Sequence, residues 1–438
     1  MSLNLRKQIF IWWSGPYFRQ HHHCSDSPGH SNLKSLFSRA QINLPSTNIP
    51  AAFSTASATS SNQGALSSLK KLLGDYKLLS KFKLSALVVL TSAGGFIAGS
   101  GDSIDYSKLA WTSLGTFGAS ACANTLNQLY EVSNDSRMTR TCNRPLPTGR
   151  LSKAHAGAFA LAMGITGITI LYEQANTLTA GLGAFNIFLY AGVYTPLKQI
   201  SVANTWVGAL VGAIPPLMGW AAASGSLELG AGVLAAALFS WQMPHFMALA
   251  WMCKEDYVRG GFKMLPSIDP LGRKTAAVAL RHCLYLAPIG VLAVLAEVAS
   301  WPFMVEASAL SAAIGVYAQR FAVSPSQASA RSMFKFSLLY LPALMVLMAV
   351  HRLPNNHSVG WKEVEANACT GLNAVAENVR QPLPVALGPV VETLDVLVGA
   401  VSTVASRIDS GIVLSYVKCP ARVQCKDIDQ GAGLDQQS

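Results

Sequence analysis

Charge is what this sequence has least of. Asp, Glu, Lys and Arg make up 13% of its 438 residues, about half the share of an ordinary globular chain. Hydrophobic residues make up 51%. A soluble protein of this length could not cover its surface with so few charges, and neither a disordered nor a collagen-like chain is this apolar. The basic excess, a formal net charge of +11, is not gathered into the contiguous face that nucleic acid requires, so no nucleic-acid partner is expected. The eight cysteines contain no C-x-x-C pair, which argues against a disulfide framework. Cys419 and Cys425 lie close together in the C-terminal tail but have no third or fourth ligand near them. What remains is an all-α membrane protein with several spans and polar ends.

Acids are almost missing from the amino end. Residues 1–74 carry Arg6, Lys7, Arg19, Lys34, Arg39, Lys70 and Lys71 against the single acid Asp26, and they are rich in Ser. No clean apolar stretch ends in a small-residue cleavage site, so a secretory signal fits poorly. A merely polar tail would not explain the lack of acids. The composition is that of an organelle transit peptide, and residues 1–74 are read as a mitochondrial one. The run His21-His22-His23 falls inside it and is read as incidental.

A helix needs ~20 apolar residues to cross the hydrocarbon layer. Nine segments meet that length: 82–100, 108–131, 153–172, 177–195, 204–223, 228–250, 276–297, 301–321 and 332–351. Many are rich in Gly, Ala, Ser and Thr, which lets membrane helices pack closely. Residues 75–351 are therefore expected to form one compact bundle in the lipid bilayer. The tail, 352–438, has an apolar stretch at 385–406 interrupted by Glu392 and Asp395. It reads as a surface helix rather than a tenth span, with no chemistry assigned to it.

Cations are missing from one side. With nine spans, the amino-terminal approach and the connections after spans 2, 4, 6 and 8 share a face. They hold Lys81, Arg137, Arg140, Arg144, Lys198, Lys254, Arg259, Lys263 and most other basic residues. The opposite connections hold Lys108 alone. The positive-inside rule puts the basic side toward the matrix.

The two long connections on that side carry the candidate chemistry. In the first, Asn127, Glu131 and Asp135 are spaced four apart, so a continuous helix would put them on one face. Carboxylates stacked at the end of an apolar helix are costly unless a cation lies between them. Oxygen-only ligands suit Mg²⁺, which keeps water or phosphate oxygens in its other positions. Arg137, Arg140 and Arg144 follow, and arginine matches phosphate geometry. Acids and arginines together point to a metal-bound diphosphate. The alternative is a solvated helix end of mixed charge. Asn143-Arg144-Pro145 likewise reads as part of an anion site or as a plain turn. The second connection has Glu255 and Asp256 followed by Arg259, Gly260 and Gly261. Asp256 is a candidate further ligand, and the glycines let backbone approach a ligand closely. Lys198, the lone cation of the span 4–5 connection, either reaches the same pocket or anchors the membrane surface. His245, beside Pro244, is either hydrogen-bonded within the bundle or faces a cavity.

The segments Asn127 to Leu151, Tyr194 to Trp220 and Trp241 to Pro266 resemble the UbiA-type intramembrane prenyltransferase superfamily. The R-T-x-N-R-P-L and W-Q-M-P-H-F stretches resemble its haem-farnesylating branch. The first superfamily motif, N-x-x-x-D-x-x-x-D, has Glu131 in the middle here. The second is poorer in aspartate than usual, with Asp256 beside Glu255. The resemblance implies a nine-helix bundle that transfers the farnesyl group of farnesyl diphosphate to a vinyl group of haem B, in the mitochondrial inner membrane with its active-site loops facing the matrix. It implies Mg²⁺–diphosphate on Asn127, Glu131, Asp135 and Asp256. Arg140, Asn143, Arg144 and Lys198 would contact phosphate, and His245 would line a haem pocket. Haem A synthase or a second copy of the chain would be further partners. The rival expectations are a prenyltransferase acting on an aromatic acid for quinone synthesis, and a polytopic transporter. The first lacks reason for the W-Q-M-P-H stretch. The second would place acids at mid-membrane depth in both halves.

Overall fold

A computed structural model describes residues 57–356 of the chain. The expectations for most of the leader and for the tail, including 385–406, Cys419 and Cys425, lie outside the described residues. The described elements are helical apart from one isolated bridge between Ala299 and Arg352.

Helix α1 (Ser57–Leu79) precedes the first rod, so the boundary expected at 74 falls inside a helix. The rods follow in chain order. They are α2 (Phe82–Ala98), α3 (Tyr106–Tyr130), α5 (Lys153–Gln174), a composite rod of α6 (Thr177–Phe188), a π-helical segment (Leu189–Tyr194) and α7 (Thr195–Ile200), then α8 (Asn204–Ser224) and α9 (Leu229–Met252). A second composite of α11 (Arg273–Leu286) and α12 (Ile289–Leu295) leads to α13 (Trp301–Val323) and α14 (Gln327–Val350). Short helices α4 (Val132–Arg137) and α10 (Lys254–Arg259) fill the two long connections.

Each expected span is a helical rod, nine among the described residues, and seven of these are both long and apolar enough to cross a membrane. The other two, α3 and α13, are long enough but more polar. Helix α3 carries Thr112, Thr116, Asn124, Thr125, Asn127 and Gln128, all buried in the bundle, and α13 carries Glu306 and Arg320.

The rods pack as a ring of neighbours. Helix α2 touches α3, α8 and α14, and α3 lies along α5. Helix α8 joins the composite fourth rod to α9, and α9 contacts α11 and α14. Small residues set the closest crossings. A Cβ at Gly219 in α8 would lie 1.8 Å from the Ser92 carbonyl oxygen of α2, and one at Gly95 in α2 would lie 2.1 Å from that of Pro216. Only a residue without a side chain fits there. Four rods start on side-chain caps: Asp105, Ser152 and Asn176 accept from the backbone N–H three residues on, and Ser326 and Ser329 form a reciprocal box before α14. Such caps satisfy donors that a helix start leaves orphaned.

The body does not stop at residue 351. The Arg352 guanidinium donates to the carbonyls of Ser100 and Gly101, and Asn355 donates to Glu228. These contacts tie residues 352–356 across the end of the bundle opposite the basic side.

Candidate active site

The basic end is where the long connections meet. Helix α3 ends at Tyr130, and Glu131 has φ −94° and ψ 14°, outside the helical well. The helix therefore breaks in the middle of the predicted triad. The 1–5 hydrogen bonds nevertheless continue: Glu131 N–H donates to Asn127 O at 3.0 Å, and Asp135 N–H to Glu131 O at 2.7 Å. That continuity keeps Asn127, Glu131 and Asp135 together across the break. All three are nearly inaccessible, at 0%, 2% and 0% exposure. An isolated buried carboxylate is costly unless it is paired, and each of these acids is. Lys198 forms an ion pair with Glu131. Arg144 Nη1 donates to Asp135 Oδ2 at 2.6 Å.

Asn127 has a fixed orientation. The Thr195 hydroxyl donates to the Tyr190 carbonyl at 2.8 Å, so its oxygen must accept from Asn127 Nδ2, 3.0 Å away. This points the Asn127 amide oxygen at Lys81, whose Nζ donates to it at 2.7 Å. Lys81 also donates to the Tyr190 hydroxyl at 3.2 Å, and that hydroxyl donates to Asn124 Oδ1 at 3.2 Å. Lys81 sits between α1 and α2 with φ 45° and ψ 52°, a left-handed conformation that a non-glycine residue adopts at a cost. In this conformation its side chain reaches into the cluster. Burial lowers its pKa well below the usual lysine value, and neighbouring Arg144 and Lys198 lower it further, while Glu131 and Asp135 act in the opposite sense.

Lys198 is itself buried. Its ammonium lies 4.9 Å from the Tyr194 ring centre and 5.2 Å from that of Phe262. The π-helical segment directly before α7 places Tyr190 and Tyr194 beside it, with ring centres 5.3 Å apart.

The second connection meets the first. Asp256 Oδ1 accepts from the backbone N–H and hydroxyl of Thr139, at 2.9 and 2.8 Å, and from Arg259 at 2.8 Å. Its Oδ2 accepts from Arg140 N–H at 3.3 Å. Burial raises the Asp256 pKa, but the Thr139 and Arg140 bonds outweigh it, and the carboxyl sits below the usual range. The Arg140 guanidinium stacks on Tyr257, 5.2 Å from the ring centre. Asn134 donates to the Gly260 carbonyl at 2.7 Å and accepts from Gln199 at 3.2 Å, so three connections are laced together.

The predicted residues thus separate into groups. Asn127, Glu131, Asp135, Arg144 and Lys198 form one buried cluster. Arg140 and Asp256 lie beside it, but the Asp256 carboxylate grips the neighbouring loop. Asn143 is exposed, and its carbonyl accepts from Arg150 at 3.1 Å. Its side chain is not brought into the cluster. His245 lies on α9 about two turns before that helix ends, stacked between Trp241 and Phe334 with ring centres 5.3 and 4.7 Å away. The Ser337 hydroxyl donates to the Phe334 carbonyl at 2.7 Å, so it accepts from His245 Nδ1–H, 2.9 Å away. That leaves Nε2 as the acceptor nitrogen. Lys81 and Asn124 belong to the cluster but were not legible as site residues. Lys81 reads as one more cation before the first span, and Asn124 lies one helical turn ahead of the triad.

Oxygen donors for a cation are present. The Asp135 Oδ1 atom is buried without a hydrogen-bond partner, while its Oδ2 takes Arg144. No three His, Cys, Asp or Glu side chains converge on one point among the described residues. A closed protein cage is therefore absent there, and an ion would draw its other ligands from water or phosphate. That is the habit of Mg²⁺, and the residues fit it.

Residues 87–339, more than half of the chain, match the UbiA prenyltransferase family. The chain belongs to the UbiA prenyltransferase family. Among similar proteins, the mitochondrial protoheme IX farnesyltransferase of Arabidopsis thaliana is 47% identical over 72% of this chain and 73% of its own. That of Homo sapiens is 48% identical over 63% of this chain and 62% of its own, so this chain spans less than two thirds of the human relative. A solved structure of a digeranylgeranylglyceryl phosphate synthase shares the fold with a TM-score of 0.55 at 15% identity, over 64% of this chain and 98% of its own. The buried cluster of this prenyltransferase lies at the residue before its first rod, on its second and fourth rods, and on the connection that follows the second.

Proposed function

We propose that this prenyltransferase moves the farnesyl group of farnesyl diphosphate onto a vinyl group of haem B, yielding haem O, in the mitochondrial inner membrane with its reactive end toward the matrix. The observation that carries the reading is the charge balance of the cluster. Lys81, Arg144 and Lys198 outnumber Glu131 and Asp135 in a largely buried cluster, with Arg140 beside it. Crowded cations repel, and a polyanion between them relieves the repulsion. The 47–48% identity to protoheme IX farnesyltransferases supports the acceptor and the compartment.

Asn127, Glu131 and Asp135 are the residues that would hold Mg²⁺, with Asp135 Oδ1 as the uncommitted oxygen. When bound, the ion offsets charge on the departing diphosphate. Lys81, Arg144 and Lys198 bind the same oxygens, and because they are fixed before reaction their stabilisation needs no reorganisation. The C1–O bond of the farnesyl chain breaks and diphosphate leaves. The terminal vinyl carbon of haem B bonds to C1. Water then adds to the other vinyl carbon and loses a proton, giving a hydroxyethylfarnesyl substituent. Apolar surroundings for the farnesyl chain would keep water from C1 until the vinyl group arrives. His245 lines the haem side, its Nε2 lone pair directed by the Ser337 bond.

Replacing Asp135 by Ala removes the uncommitted oxygen and strands Arg144. With haem B, farnesyl diphosphate and Mg²⁺ supplied to purified protein, the expected loss of haem O is on the order of 10²–10³-fold, read by mass spectrometry of the porphyrin. Wild-type yield from well-folded Asp135→Ala protein would contradict the assignment.

A further inference from the structure

We propose that Asp256 is a positioning residue that fixes the Thr139–Arg140 turn over the site, and that it does not ligate the metal. The proposal rests on the reading of Arg140 as a diphosphate-binding residue. It starts from the occupancy of one carboxylate. A carboxylate has about four lone-pair directions. Asp256 Oδ1 already accepts from Thr139 N, Thr139 Oγ1 and Arg259 Nη2, and Oδ2 from Arg140 N. A metal ion on Oδ1 would have to displace those donors, and one on Oδ2 would compete with the Arg140 N–H that holds the turn. Two of these donors are backbone N–H groups of a tight turn, and leaving such groups unpaired in this part-buried setting is unfavourable. Asp135 is the contrast: one of its oxygens is buried and unclaimed.

The clasp has a second half. Helix α10 holds the Arg140 backbone with Asp256 and, one residue on, stacks the Arg140 guanidinium on Tyr257. The turn is closed on itself by Thr141 N–H and Cys142 N–H, which both donate to Met138 O. Asn134 donating to Gly260 O forms a parallel stitch. One short helix thus fixes both where the Arg140 Cα sits and where its side chain starts. The second connection then acts as a frame for a cation rather than as a metal arm.

The test uses full-length protein in lipid nanodiscs, with Asp256→Asn, the milder Thr139→Val, the double variant, and Asp135→Asn as the metal-site reference. Three quantities are read: the Mg²⁺ half-saturation, KM for farnesyl diphosphate, and amide hydrogen exchange at Thr139 and Arg140. Expected for Asp256→Asn is exchange about tenfold faster at these two amides, a KM raised about tenfold, and Mg²⁺ half-saturation unchanged. Thr139→Val gives a smaller change in the same direction, and the double variant falls short of the product of the two. Asp135→Asn shows the reverse, a raised Mg²⁺ half-saturation with wild-type exchange at the turn. Two results would overturn the proposal: a rise in Mg²⁺ half-saturation for Asp256→Asn matching that of Asp135→Asn, or wild-type exchange at Thr139 and Arg140 in Asp256→Asn. If wild-type protein leaves farnesyl diphosphate unconsumed, the reaction reading fails, while the exchange measurement still decides the clasp.

Discussion

Lys81 shows most plainly how a single residue commits the backbone to chemistry. Its left-handed conformation is paid for by two hydrogen bonds at the centre of the cluster. Lys81→Met keeps the stem and removes the donor, so a charged hydrogen bond worth about 1.5–3 kcal/mol is lost. The expected result is a KM for farnesyl diphosphate raised about 10–100-fold with the fold retained, and partial recovery in Lys81→Arg. Steady-state kinetics on the three proteins check this, and unchanged kinetics in Lys81→Met would remove Lys81 from the site. Asp256 carries a pH consequence. Its pKa is depressed in the folded protein, so its bonds contribute fully above the ordinary carboxyl pKa of about 4 and are lost only as pH falls through the lower folded value. Protection of the Thr139 and Arg140 amides is therefore expected to stay constant from pH 8 to 5. Loss of protection within that range would mean that the carboxylate is not what holds the turn.

Among elements, the rods were legible because the hydrocarbon layer imposes a length and a composition that the sequence displays directly. Every expected span has its helix. Breaks within elements were less legible. Four-residue spacing placed Asn127, Glu131 and Asp135 on one face, yet the helix breaks at Glu131; the face survives because the 1–5 hydrogen bonds carry across. No spacing rule reveals the π-helical segment Leu189–Tyr194, since its apolar and aromatic residues suit an ordinary helix equally. The contacts of Asp256 were illegible for a related reason: an acid following a helix end looks the same in sequence whether it meets a cation or a neighbouring turn. Close crossings carry their own expectation. Gly219→Leu would drive side-chain atoms into the α2 backbone at Ser92. Overpacking costs about 1–3 kcal/mol in a core that can shift, and more here because the obstruction is backbone. A clear fall in thermal unfolding temperature in detergent is expected. An unchanged midpoint would show that α2 and α8 are not held this close.

For the whole molecule, the decisive property is that most cations of the described bundle are collected at one end, where Glu131, Asp135 and Asp256 meet them. Charge asymmetry was readable from the connections alone, and it put those after the second, fourth and sixth rods on one side, where the structure brings them into contact. It could not say which cations turn inward: Arg137 is exposed, while Lys81 and Lys198 are drawn into the cluster. Those outcomes depend on tertiary contacts between segments far apart in sequence, such as Lys81 with Asn127 and Lys198 with Glu131. The claim that matters most is that this end of the bundle ionises an allylic diphosphate beside a haem. Wild-type protein reconstituted in liposomes with haem B, farnesyl diphosphate and Mg²⁺ tests it most directly, with the porphyrin products weighed by mass spectrometry. The expected result is a haem heavier by one farnesyl group and one hydroxyl, formed with Mg²⁺ and abolished by chelation. Recovery of unmodified haem B from correctly folded protein, or the same product after chelation, would contradict it.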